Sequence, residues 1–140
     1  SFYLTPFMKI LPLMLACLLL PVQLSANAGN ATVVDLNPDA ENPRNSEGSF
    51  VTLKSGRIAF YYTQFYGGLA DYSAARIVVI HSDDQGRTWS EPRSVIEKGD
   101  AANVMSVSLL RLASGKIALF YIRKGSGLDS GPFLCLSANE

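Results

Sequence analysis

Ser49-Phe-Val-Thr-Leu-Lys-Ser-Gly-Arg-Ile-Ala-Phe-Tyr-Tyr62 falls without a gap on Ser108-Leu-Leu-Arg-Leu-Ala-Ser-Gly-Lys-Ile-Ala-Leu-Phe-Tyr121, an offset of 59 residues. Ser, Leu, Ser, Gly, Ile, Ala and Tyr recur identically. Most other pairs exchange apolar for apolar or Arg for Lys. A period of this length is the mark of stacked supersecondary units. Each copy reads as a β-hairpin. An apolar strand runs to Leu53 or Leu112, and a turn follows at Ser55-Gly56 or Ser114-Gly115, where Gly supplies the positive φ of a tight turn. The second strand is expected over Ile58–Thr63, or Ile117–Ile122. Its apolar character at nearly every position implies burial on both faces.

A Gly-rich polar loop, Phe65 to Ser73, follows the first hairpin. A third strand is expected over Ala75–His81, then a turn, then a short fourth strand through Ser94-Val95-Ile96. Four strands per period make a propeller blade. The fold class is therefore all-β, with blade 1 at about 45–97 and a partial blade 2 at about 104–140. In the second copy, Phe133 to Leu136 resembles the third strand. The chain is thus expected to be the N-terminal part of a longer protein, because two blades leave sheet edges unpaired. Six blades at this period need about 350 residues.

The turn Ser82-Asp83-Asp84-Gln85-Gly86-Arg87-Thr88-Trp89 fits the pattern S-x-D-x-G-x-T-W at all five fixed positions. Asp84 is placed to accept hydrogen bonds from N–H groups that the turn leaves unpaired. Gly86 permits a left-handed backbone. The Ser82 and Thr88 hydroxyls are expected to bridge the strand ends, and Trp89 to anchor the turn on the blade.

Composition excludes some partners. Twelve basic residues balance twelve acidic ones, which leaves no electrostatic footprint for nucleic acid. An anionic ligand has to be held by a few placed arginines. One His and two Cys offer no metal-ligand cluster, and no metal or other cofactor is expected. Met8-Lys9, the apolar run Ile10 to Leu20, and Ala26-Asn27-Ala28 read as a secretory signal peptide cleaved after Ala28. The run is too short to span a bilayer and is flanked or broken by Pro12 and Pro21, so no stable membrane insertion is expected. Residues 1–28 then hold seven upstream residues and the leader from Met8, and 29–140 form the mature segment, secreted or periplasmic. Cys17 leaves with the leader. Cys135, inside Phe133-Leu134-Cys135-Leu136, is expected to be buried and structural.

With the turn, the repeat and the leader together, residues from about Asn42 to Glu140 resemble the sialidase (neuraminidase) superfamily with its Asp-box repeats. The resemblance implies a six-bladed β-propeller and an enzyme that removes terminal sialic acid, or a related sugar, from glycans. It implies that Ser82, Asp84, Gly86, Thr88 and Trp89 are structural and peripheral. It also implies three arginines on the substrate carboxylate, a job suited to the guanidinium fork. An Asp acid/base and a Tyr nucleophile paired with Glu complete the implied set.

Onto this chain the resemblance carries Asp71 as the acid/base candidate, the carboxylate on the loop after the second strand. The alternative is a solvated loop aspartate. Arg44 is the first substrate-binding candidate. The family's Arg-Ile-Pro place reads Glu47-Gly48-Ser49 here, and Arg44 stands three residues before Glu47. Arg44 and Glu47 shift by 59 onto Asn103 and Ser106, which puts polar residues before an apolar inner strand twice. Glu47, Asn103 and, more weakly, Arg123 are the other substrate-binding candidates, against the alternative of loops that join blades. Arg76 reads as a structural charge and His81 as a strand-end residue. Two other readings of the whole stand beside the sialidase: a non-catalytic propeller that binds glycan or protein, and a glycosidase for a different sugar.

Overall fold

The computed structural model describes residues 34–125 and 129–139. The expected leader, with its cleavage point after Ala28, lies outside them. The described chain is all-β, in two antiparallel sheets. The first holds β1 (Arg44–Thr52), β2 (Ile58–Phe65), β3 (Ala75–Ser82) and β4 (Arg93–Ile96), in sequential order. The second holds β5 (Asn103–Arg111), β6 (Ile117–Lys124) and β7 (Ser130–Leu136), also in order. Sequential antiparallel strands in successive, stacked sheets are the architecture of a partial β-propeller.

The repeat holds register for register. Arg44 pairs with Phe65 as Asn103 pairs with Lys124, and Val51 pairs with Ala59 as Leu110 pairs with Ala118. Both turns close identically: Gly56 N–H donates to Leu53 O, and Gly115 N–H to Leu112 O, each at 2.9 Å. Gly56 and Gly115 have φ of 88° and 87°. Both inner strands also break register at the same place. β1 slips between Ser46 and Gly48, and β5 between Met105 and Ser108. A bulge bends and twists a strand locally.

Of the two readings of Arg44 to Gly48, a blade-joining loop and a polar segment leading into the inner strand, the structure excludes the loop: these residues open β1 itself. Their polarity hides a strand whose partners, Phe65, Gln64 and Thr63, are fully or nearly buried. Likewise β2 runs on to Phe65 and β6 to Lys124. Gln64 looks like a loop residue but is buried, and its Oε1 accepts from Arg76 Nε across the ladder at 2.8 Å. Arg76 is thereby a structural charge, as read.

The core between the sheets gathers Ile77, Val104, Val107 and Leu119, with Tyr61, Ile96, Leu109 and Tyr121 packed against it. Full burial of one such side chain is worth about 1.5–3 kcal/mol. Polar atoms here are paired across the sheets. Ser106 N–H donates to Thr63 Oγ1, and Leu109 N–H to Ser49 Oγ, each at 3.2 Å. The other face of the first sheet carries Tyr62, Val78 and Ile80, with Val34, Leu36, Phe60 and Trp89 against them. Phe60 stacks between Phe50 and Tyr62, with ring centroids 4.1 and 5.4 Å away. Gly48 admits that ring: a Cβ there would lie 2.4 Å from Phe60 and 2.8 Å from Tyr61 O.

Burial on both faces holds for β2 but not for β6. Phe120 and Ile122 of β6 are exposed, as are Phe133, Leu134 and Leu136 of β7. Cys135 is exposed as well, not buried. The reason is positional. Among the described residues β7 is the last strand of its sheet, and on Cys135's side the short β4 ends at Ile96, leaving a hollow of about 160 Å³ against Tyr61, Ile96, Leu109 and Leu119.

Candidate functional site

Two loops of the first sheet carry its aspartates. The β3–β4 turn is closed on itself. Ser82 Oγ donates to Asp84 Oδ1 at 2.8 Å and accepts from Gly86 N–H at 2.8 Å. Asp84 also accepts from the N–H groups of Arg87 and Thr88 and from Thr88 Oγ1, at 3.0, 2.9 and 2.7 Å. The backbone that makes this possible is left-handed at Gln85 and Gly86, with φ of 64° and 89°. Hydrogen bonds to the charged form favour it. The Thr88 N–H, then the Thr88 and Ser82 hydroxyls, hold the Asp84 carboxyl down to about 2 from its ordinary 3.8.

The hydroxyls of Ser82 and Thr88 thus meet on Asp84 instead of bridging the strand ends. That bridge is made next door: His81 and Ser90 exchange two hydrogen bonds at 2.9 and 3.0 Å. Trp89 lies on the Tyr62–Val78–Ile80 cluster and donates from Nε1 to Gly86 O at 3.2 Å. Arg57 grips Asp83 with a two-pronged pair at 2.6 and 2.8 Å, which holds that carboxyl below its ordinary range. Burial, then the nearby Arg57 and Arg93, push the imidazole of His81 down. Every carboxylate in this turn has its partners in place.

The β2–β3 loop is built differently. It starts and ends on a short ladder, with the N–H groups of Tyr66 and Gly67 both donating to Ala74 O. Between them the chain is held by side chains from other strands. Arg44 Nη1 donates to Leu69 O at 2.8 Å and to Asp71 Oδ1 at 2.6 Å. Its guanidinium rests over the Phe65 ring, 4.4 Å from the centroid. Asn103 Nδ2 donates to Asp71 O and Ser73 O at 2.7 and 3.1 Å, and Lys124 Nζ to Asp71 O at 3.0 Å. The loop is therefore tied to the first residues of both inner strands and to the end of β6. Asp71 itself keeps 64% of its side chain exposed, against 27% for Arg44. Leu69 and Tyr72 beside it are exposed too.

The structure thus brings Arg44, Asp71 and Asn103 together. Asn103 is wholly buried and acts on the loop backbone, and its Oδ1 has no partner among the described residues. Glu47 stands apart on the β1 bulge. Its carboxylate accepts from Ser46 Oγ and lines a hollow with Val34, Leu36, Phe50 and Phe60. Arg123 pairs with Asp100 and lies 5.9 Å from the Phe133 ring. Lys124 and Asp100 were not singled out in the sequence. The register equivalence of Lys124 with Phe65, two residues beyond the expected end of β6, is the available clue. No group of acidic, His or Cys side chains able to hold a metal ion occurs among the described residues.

The class these features define is a partial β-propeller, and comparison with solved structures agrees. The chain is similar to the NanB sialidase from Streptococcus pneumoniae, solved in complex with 2-[(3-chlorobenzyl)ammonio]ethanesulfonate. The superposition has a TM-score of 0.55 at 22% identity and covers 69% of this chain. The chain spans 18% of that sialidase's length. At this identity the likeness is one of fold. No protein-family model and no curated protein sequence matches the chain.

Proposed function

We propose that the chain belongs to a secreted, sialidase-like exo-glycosidase, exported through residues 8–28, whose propeller binds a terminal acidic sugar of a glycan near Arg44 and Asp71. The observation that carries this reading is the Arg44–Asp71 pair at 2.6 Å, on a loop held by both inner strands. Asp71 is the carboxylate of the first sheet that combines a fixed backbone with an open side chain. In the reaction it protonates the leaving glycosidic oxygen and later takes a proton from the attacking water.

Arg44 orients Asp71 and offers further N–H donors to a substrate carboxylate. A guanidinium carries five, and both bonds made here leave from Nη1. Exposed Leu69 and Tyr72 give the same loop an apolar surface for a sugar ring. The nucleophile and the other carboxylate-binding arginines belong to further parts of such an enzyme. The 140-residue chain by itself is accordingly expected not to cleave a fluorogenic sialoside.

In the whole protein, Asp71→Ala is expected to lower kcat on such a sialoside about 10²–10⁴-fold, the usual share of general acid–base catalysis. Undiminished turnover in that variant overturns the assignment. Hydrolysis of neutral sugars alone favours a glycosidase of different specificity. Glycan binding without turnover favours the non-catalytic propeller.

A further inference from the structure

The loop of residues 66–74 carries one charge, that of Asp71. Two cations reach this residue, one at its side chain and one at its backbone. Arg44 Nη1 holds the carboxylate at 2.6 Å, and Lys124 Nζ donates to the carbonyl at 3.0 Å. Charge for charge, Arg44 is balanced by Asp71. A carbonyl oxygen balances nothing, so Lys124 keeps a whole positive charge. Among the described residues it has no carboxylate partner, and it is half-buried at the end of β6. Its neighbour Arg123, by contrast, is paired with Asp100. A cation drawn partly out of water gains most from an anion set against it.

Lys124 is also dispensable as a prop for the loop. The same carbonyl accepts from Asn103 Nδ2 at the shorter distance of 2.7 Å, and that side chain is wholly buried and donates to Ser73 O as well, at 3.1 Å. An amide that gives one hydrogen to each of two carbonyls already fixes the backbone there. An ammonium has three hydrogens, and the bond to Asp71 O uses one. The chemistry proposed for Asp71 sharpens the imbalance. A general acid carries its proton until it gives it away. In that state Arg44 loses its counter-charge too, and two cations stand beside the loop with no anion between them.

On the acidic-sugar reading of the Arg44–Asp71 site, on which this rests, we infer that Lys124 is a specificity-determining residue. Its ammonium receives the carboxylate of the sugar and supplies the net charge that selects an acidic sugar over a neutral one. The labour is divided between the two sheets. Arg44, on the first, orients the acid through the directed fork of a guanidinium. Lys124, on the second, acts as a compact point charge.

Equilibrium binding to the whole protein tests it without any need for turnover. The probes are a thio-linked sialoside, which resists hydrolysis, and its carboxyl methyl ester, which differs from it by one charge. Wild type is expected to prefer the acid. Lys124→Met is expected to weaken binding of the acid about tenfold or more, the worth of one hydrogen bond to a charged group, and to leave the ester unchanged. Lys124→Arg, which keeps the charge, is expected to restore most of the preference. Amide exchange across 66–74 in Lys124→Met should match wild type, which separates a lost charge from a loosened loop. Equal weakening of acid and ester overturns the inference and marks Lys124 as a prop. So does a preference for the acid that Lys124→Met leaves intact, or a wild type that binds the two probes alike. In those three cases the role of Asp71 still stands or falls on the turnover of Asp71→Ala. A wild type that binds neither probe overturns the acidic-sugar reading and this inference together.

Discussion

The two aspartate-bearing loops of the first sheet lie at opposite ends of β3 and are held by opposite means. In the Ser82–Trp89 turn Asp84 is saturated from within, by bonds that span at most four residues, and Asp83 alone is gripped from outside, by Arg57. The loop before β3 is held from without, by Arg44, Asn103 and Lys124, which stand 27, 32 and 53 residues from Asp71. A carboxylate with its acceptor sites filled has nothing left for a ligand. A carboxylate placed by its backbone, with its oxygens toward water, does. Availability here follows from the source of the constraint and not from residue type.

The comparison can be broken at several points. The largest effect is expected where both loops lose their common support. Ile77→Ala, in the core between the sheets, should cost about 2–5 kcal/mol in denaturant unfolding. Asn103→Ala should cost about 1–3 kcal/mol, because it removes a donor from two loop carbonyls and leaves Asp71 O only Lys124, and should raise amide exchange across 66–74 while leaving 82–89 unchanged. Asp84→Ala should lower the melting temperature by several degrees and raise exchange in 82–89 alone.

The pH dependence sharpens the same contrast. Asp84's carboxyl is held at about 2 in the folded state, below its ordinary 3.8. Its contribution is complete above 3.8 and is lost as pH falls through the interval toward about 2. Melting curves of wild type and Asp84→Ala should therefore converge over that interval. The smallest effect belongs to Asp71→Asn. Its pair with Arg44 is exposed, so the stability change should stay within about 1 kcal/mol.

The strand inventory was legible in the sequence wherever a period was present. The 59-residue offset places both hairpins and both glycine turns, and the apolar runs on either side of the Ser82–Trp89 turn place the third and fourth strands of the first sheet. The misplaced ends were those of β1, β2, β5 and β6, and each failed for one physical reason. Arg44, Gln64, Asn103 and Lys124 are polar residues on strands, satisfied by partners distant in sequence, which periodicity does not register. The place of Asp71 on the loop between β2 and β3 is readable in the sequence, and the family resemblance is what singles that carboxylate out. That Asn103 and Lys124 steady its backbone is not readable, because those contacts cross from one sheet to the other. Cys135 was misjudged for a related reason: an apolar run shows a preference for burial but not whether anything covers it.

Gly48 and the Phe60 ring that crowds it have a counterpart in the other sheet. Shifted by 59, they become Val107 and Leu119, which lie in one core cluster. One repeat combines the smallest residue with a large ring, and the other divides the volume between two branched aliphatics. Neither half of the exchange is tolerable alone. Gly48→Val drives a side chain into the ring, and Phe60→Leu leaves a gap beside a glycine. Made together they transplant the second repeat's solution into the first. A double-mutant cycle should show favourable coupling of about 0.5–3 kcal/mol. The two positions therefore behave as a single heritable unit, free to change only in step.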